Sequence, residues 1–241
     1  MKTCNPHAPS NKAFTLIELL VVLAIIALLV SVLLPALGSA RSQARAISCA
    51  SKMRTLGQAL TLYLHDYDDA FPASNHLGFG GVSWDIQFSS YLGAPSVHQA
   101  VRAGDWYLDN NPDVLDYYEK TLRCPEDDQK TYKEYSYAQN VYFNLDPTVA
   151  AEAPALAGHR WWKSIWLPAP SATVIYGEIK GGSNHFMAHV WLAGDPVNVA
   201  ERHNDTANFV FADGHVSRNP ATDHFKLSIP LVDNWNPATA R

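Results

Sequence analysis

Between Leu16 and Leu34, fifteen of nineteen positions are Leu, Ile or Val, and the one charged residue among them is Glu18. The apolar run extends from Phe14 to Leu37, 24 residues, enough for a helix to cross a hydrocarbon core of about 30 Å. Each Leu, Ile or Val near the centre favours insertion by about 0.3–0.6 kcal/mol. Together they outweigh one acidic group near the end of the span, which costs less than the about 3 kcal/mol of a central charge. A cleaved signal peptide has an apolar core of only about 7–15 residues. Gly38-Ser39-Ala40 nonetheless has the small residues of a signal-peptidase site, so a secreted domain beginning at Arg41 stands as an alternative.

Past Pro35 the apolar spacing changes. Leu37, Ala40, Ala44 and Ile47, then Leu56, Leu60, Tyr63 and Tyr67, recur at helical intervals with a phase slip between the groups, and the next proline is Pro72. This predicts one helix from Phe14 to about Tyr67, about 80 Å long at the usual rise per residue, stopped before Pro72. Trp84, Phe88 and Tyr91 predict a short amphipathic helix ending at Gly93. "EYSYAQNVYF" (134–143) and "TVIYGEI" (173–179) predict strands. "ANFVFADGHVSRN" (207–219) predicts a hairpin with positive φ at the central residues of its Asp213-Gly214 turn. The Pro- and Ala-rich stretch 151–171 predicts a long surface excursion, and residues 94–120 show no organising pattern.

The chain of 241 residues has a net charge of −5, with no basic cluster, which argues against nucleic-acid binding. Lys2 and Lys12 precede the apolar run, while Arg41, Arg45, Lys52 and Arg54 follow it, so loop charge alone does not place the C-terminal part outside. Of the three cysteines, Cys4 precedes the run. Cys49 and Cys124 would share a compartment, where export permits a disulfide between them.

Candidate chemistry is sparse. His185 and His189 are four apart but read "HFMAH", without the glutamate of a zinc-binding helix. His203, Asp205, Asp213 and His215 are candidate metal ligands that hairpin strands could bring together; the plainer reading is a turn aspartate with exposed strand histidines. Asp66, Asp68 and Asp69 could bind calcium or form a solvated acidic helix end. Trp161, Trp162 and Trp166 could stack on sugars, or bury in a core or interface. No nucleophile motif or phosphate-cradling loop occurs, so we expect a non-enzymatic protein without a cofactor.

"KAFTLIELLVVLAII" resembles the leader of type IV prepilins and type II secretion pseudopilins. The resemblance implies cleavage between Ala13 and Phe14 by prepilin peptidase and N-methylation of Phe14. It also implies that Glu18 pairs with the N-terminal amine of a neighbouring subunit and that the helix bends at Pro35. His203 followed by Asp213-Gly214 resembles the H-x9-D-G signature of one large bacterial group of pseudopilin-like proteins, as do "CPEDD" and "SYAQN". The implied fold is α+β, a long kinked N-terminal helix packed on a C-terminal antiparallel sheet. Its parts would be a leader (1–13), a transmembrane and assembly helix (14–37), the soluble half of that helix (38–69) and a globular domain (70–241). The implied function is a structural pseudopilin subunit of a type II secretion-like or pilus-like filament. Its partners would be prepilin peptidase/N-methyltransferase, other pseudopilins, an inner-membrane assembly platform and the membrane, with its C-terminal domain in the periplasm. The alternative is a membrane-anchored protein that binds glycan or metal and uses a pilin-type anchor.

Overall fold

The computed structural model describes residues 15–72, 84–102, 111–127, 136–140, 163–180, 199–223 and 240. The chain divides into two units, residues 1–42 and 43–241, and helix α1 (Leu16–Asp66) contributes to both.

In the first unit α1 begins with a capping box. The backbone N–H and hydroxyl of Thr15 each donate to Glu18 Oε2 at 2.9 Å, and the Glu18 N–H donates to Thr15 Oγ1 at 3.2 Å. Two donors otherwise orphaned at a helix start are thereby satisfied. Every large apolar side chain from Leu16 to Leu37 is exposed. Ser31 returns its hydroxyl to the Leu28 carbonyl at 2.7 Å, so the one hydroxyl in mid-span has a partner within the helix. Pro35 lies inside the helix and removes the N–H that would bond the carbonyl four residues earlier.

In the second unit α1 buries one face: Ala46, Cys49, Met53, Leu56, Gly57, Leu60, Tyr63 and Leu64, at spacings of three and four. The two stripes predicted from sequence fare differently. Leu56, Leu60 and Tyr63 are buried, whereas Leu37 and Ile47 are exposed, as is Tyr67 at the far end. The phase slip thus marks the point at which a packed face begins.

Strands β1 (Tyr137–Gln139), β2 (Val174–Glu178), β3 (Ala207–Phe211) and β4 (Val216–Asn219) form one antiparallel sheet in the order β1-β2-β3-β4. A bulge lies between Val174 and Tyr176 of β2. Apolar groups cover both faces. Tyr137, Ile175, Tyr176 and Val210 pack with the buried face of α1, and Ala138, Val174, Phe209 and Phe211 form a second cluster with Val199 and Ala221. The arrangement is α+β, a long N-terminal helix with a four-stranded antiparallel sheet.

Local differences from the sequence reading have local causes. Helix α2 (Trp84–Phe88) stops five residues before Gly93, because the chain turns from Ser89 and Gly93 takes φ +81°. Stretch 94–120 contains α3 (Pro95–Arg102) and α4 (Pro112–Tyr117), the latter continuing as a π turn over Tyr118–Leu122. Asn111 caps α4 by accepting from the Asp113 N–H at 3.0 Å, with Pro112 next to it, an N-cap and first-turn proline combination. Positions 134–135 and 141–143 of the expected first strand, and 151–162 of the expected excursion, lie outside the described residues.

The hairpin differs in turn type. Phe211 N–H donates to the His215 carbonyl at 3.0 Å and Gly214 N–H to the Phe211 carbonyl at 2.9 Å. This is a three-residue loop, in which one left-handed residue suffices. Gly214 supplies it at φ +86°, and Asp213 does not take positive φ.

Candidate functional site

Strand β2 is buried throughout, yet it ends in a carboxylate, Glu178, that is 0% exposed. A charge removed from water needs partners, and Glu178 has several. Asn208 of β3 donates to it from Nδ2 (2.9 Å, Oε1) and from the backbone (3.3 Å, Oε2), and Nε2 of His203 lies 3.0 Å from Oε1. The other ring nitrogen of His203, Nδ1, contacts Glu126. An imidazole with a carboxylate at each nitrogen can donate at both only when protonated. Burial lowers the His203 pKa, but the hydrogen bonds and charges of Glu178 and then Glu126 more than offset it, so the net shift is upward.

This pair of ion contacts sits beside a covalent link. Cys49 of α1 and Cys124, just after the π turn, form a disulfide, and Cys124 Sγ is 3.5 Å from His203 Nε2. Ser136 accepts from the Cys124 N–H at 2.8 Å and donates to Asp127 Oδ2 at 2.7 Å. Arg202 donates to that same oxygen at 2.8 Å and to the Ile179 carbonyl at 2.6 Å. From α1, Arg45 reaches Glu126 at 3.4 Å and Lys52 donates to the Arg123 carbonyl at 2.7 Å. The 122–127 segment is therefore tied to α1, to β2 and to the loop before β3 at once.

The sequence-predicted residues divide between this centre and other places. Of the four candidate metal ligands, only His203 is here, and the structure does not bring the four together. Asp213 and His215 hold each other at the exposed hairpin turn, with Asp213 Oδ1 accepting from the His215 backbone at 3.1 Å and lying 2.6 Å from Nδ1. Asp205 occupies a left-handed turn position at φ 56°. The donors that do converge among the described residues are Cys49, Cys124, Glu178 and His203. The three aspartates at the end of α1 also diverge. Asp66 accepts from Tyr91 at 2.8 Å, Asp68 from Lys163 at 2.9 Å and Asp69 from Ser164 at 3.3 Å, so each carboxylate has its own donor.

Asp213-Gly214 has a packing role. The turn lies on α1 at Gly57: a Cβ on Gly57 would fall inside 3.0 Å of the Gly214 carbonyl oxygen, and one on Gly214 would meet Thr61 Oγ1 at 3.0 Å. Two backbones meet where neither residue has a side chain. Trp166 is half-exposed beside an exposed Ile165; Trp161, Trp162, His185, His189, Ala13 and Phe14 lie outside the described residues.

Sequence reasoning passed over Glu126, Asp127, Glu178, Arg202, Asn208 and Gly57. One signal was available: Glu178 is the single charge in "TVIYGEI", and a charge in an otherwise apolar strand announces a buried partner. The partners themselves come from loops tens of residues away, which no local pattern connects.

Two family models match the chain. Residues 9–34 match the prokaryotic N-terminal methylation motif, and residues 38–168 match a family described as a protein of unknown function, DUF1559. No curated protein and no solved structure matches it.

Proposed function

The chain belongs to the DUF1559 family and begins with a prokaryotic N-terminal methylation motif, and on that premise we propose that it is a pseudopilin, a filament subunit rather than an enzyme. The motif makes it a type IV pilin-like substrate of prepilin peptidase, and α1 supplies a single-pass membrane anchor. Beyond this, the reading has the mature chain beginning at methylated Phe14, waiting in the bacterial inner membrane and entering a type II secretion-like or pilus-like filament.

The observation that carries it is Glu18. It is the one charge between Thr15 and Ala40, on a helix whose apolar side chains are all exposed up to Leu37. A carboxylate at that depth is costly in hydrocarbon without a cationic partner. Here its partner is the neutral Thr15 of its own chain. A neighbouring subunit's N-terminal amine would supply the missing charge while the exposed apolar surface buries against neighbouring helices. The Cys49–Cys124 disulfide supports a periplasmic location for the second unit, since such bonds persist in oxidising compartments. Of the four cations after the apolar run, Arg45 and Lys52 are engaged by residues of the folded second unit.

The test is Glu18→Ala in cells expressing the assembly machinery. Cleavage should proceed and filament incorporation should fall steeply. Incorporation at the level of the unmodified chain would remove the assembly role assigned to Glu18.

A further inference from the structure

The disulfide, His203 and Glu178 together have a property that none has alone. Their donor atoms (Sγ of Cys49 and Cys124, a histidine nitrogen and a carboxylate oxygen) all lie within 4.8 Å of one another, and all four residues are buried. A tetrahedral zinc ion takes sulfur at about 2.3 Å and nitrogen or oxygen at about 2.0–2.1 Å, which sets ligand–ligand separations of about 3.3–3.8 Å. His203 Nε2 is already 3.5 Å from Cys124 Sγ and 3.0 Å from Glu178 Oε1. The two sulfurs are bonded to each other and must separate, and the His203–Glu178 pair lies a few tenths of an ångström inside that range.

We propose that Cys49, Cys124, His203 and Glu178 form a redox-gated zinc site, closed as a disulfide when oxidised and holding one Zn2+ when reduced. The outer contacts match what a zinc centre requires. A ligating histidine presents one nitrogen to the metal and gives its other N–H to a carboxylate, and a ligating carboxylate is itself hydrogen-bonded. His203 turns Nε2 towards the sulfur and Nδ1 towards Glu126, whose other oxygen faces Arg45; Glu178 accepts from the backbone and side chain of Asn208. Two thiolates with one imidazole and one carboxylate suit zinc. Four buried protein ligands leave no open position, so the site is structural.

The chemistry balances with a dithiol reductant. One thiolate of the dithiol attacks a sulfur of the Cys49–Cys124 bond, and its second thiol then resolves the mixed disulfide. Two electrons pass to the protein, which gains two thiols, and the reductant leaves as a cyclic disulfide. Zn2+ then displaces one proton from each thiol and one from His203 Nε2. The metal takes the proton's place between His203 and Glu178 and joins the two elements that the disulfide links, α1 and the 122–127 segment, to β2 and the loop before β3. A chain that reaches its compartment reduced would thus keep the second unit assembled until oxidation replaces metal with the covalent link.

The experiment uses the full chain in detergent, reduced with a phosphine under anaerobic conditions and titrated with Co2+ and then Zn2+. One Co2+ per chain should bind, with thiolate-to-cobalt charge transfer and the intense d–d bands of tetrahedral coordination, bleached by one equivalent of Zn2+. The oxidised chain should show neither. Glu178→Gln and His203→Gln should each remove the tetrahedral spectrum or weaken it beyond tenfold. Glu126→Gln should keep the thiolate band and lose about 10–100-fold in affinity. If reduction loosens the second unit, one equivalent of Zn2+ should restore its near-ultraviolet circular dichroism. The proposal is overturned if the reduced chain binds no cobalt, if it binds in weakly absorbing octahedral form, or if zinc fails to restore a loosened fold. Unchanged binding in Glu178→Gln and His203→Gln would also overturn it.

Discussion

Gly57→Ala sets two effects of opposite sign against each other. In a helix interior alanine is favoured over glycine by about 1 kcal/mol, so propensity alone predicts a more stable chain. The added Cβ, however, would fall inside 3.0 Å of the Gly214 carbonyl oxygen, 3.2 Å from its carbon and 3.3 Å from Val210 Cγ1. The first two obstacles are backbone, held by the bonds that close the hairpin turn, so no side chain can rotate aside. Overpacking of this kind costs about 1–3 kcal/mol, and rigid backbone puts the cost in the upper part of that range. The net loss is then about 1–2 kcal/mol, a fall of about 2–8 °C in Tm for a unit of this size. Thermal unfolding of the oxidised chain in detergent, followed by near-ultraviolet circular dichroism, measures it. Gly38→Ala is the control, since a Cβ there meets nothing within 4 Å. A rise in Tm for Gly57→Ala comparable to the propensity gain would refute the seating of the Asp213-Gly214 turn on α1.

Two further outcomes follow from the polar centre. Cys49→Ser removes a link across 75 residues, worth about 4.5 kcal/mol in chain entropy; a loss under about 1 kcal/mol in denaturant titration with chelator present would contradict its stabilising role. For pH, His203 faces Glu126 and Glu178, with Arg45 on Glu126 and the Arg202–Asp127 pair nearby. Its folded pKa is raised above that of a free imidazole, so its contribution is complete below about pH 6.5 and is lost as pH rises through the folded value. Tm of the oxidised chain should therefore decline on the alkaline side, and His203→Gln should flatten that decline; an unaltered slope would contradict it.

The parts legible in sequence are those written in local pattern. Fifteen aliphatic residues around Glu18, the Leu56–Leu60–Tyr63 stripe, "TVIYGEI" and the Asp-Gly hairpin each carry their own period or turn residue. What escaped was long-range. Glu178 and Glu126 meet the two ring nitrogens of His203 only because β2, the loop before β3 and the 122–127 segment converge. Gly57 looked like a weak helix position, and its reason is a carbonyl 157 residues on, at Gly214. His203 and Asp213-Gly214 have nine residues between them in sequence but act separately, one in the polar centre and the other against the helix. The structure does not bring them together as ligands, because β3 runs from the loop that holds His203 to the turn that holds Asp213.

The central claim is the pilin-type maturation and assembly of this chain. The most direct measurement is the mature N-terminus, by mass spectrometry, from cells with and without prepilin peptidase. The account predicts a chain beginning at N-methylated Phe14 when the peptidase is present and an uncut leader when it is absent. A mature chain beginning at Arg41 in both would mean a secreted domain without its helix, and would contradict the account.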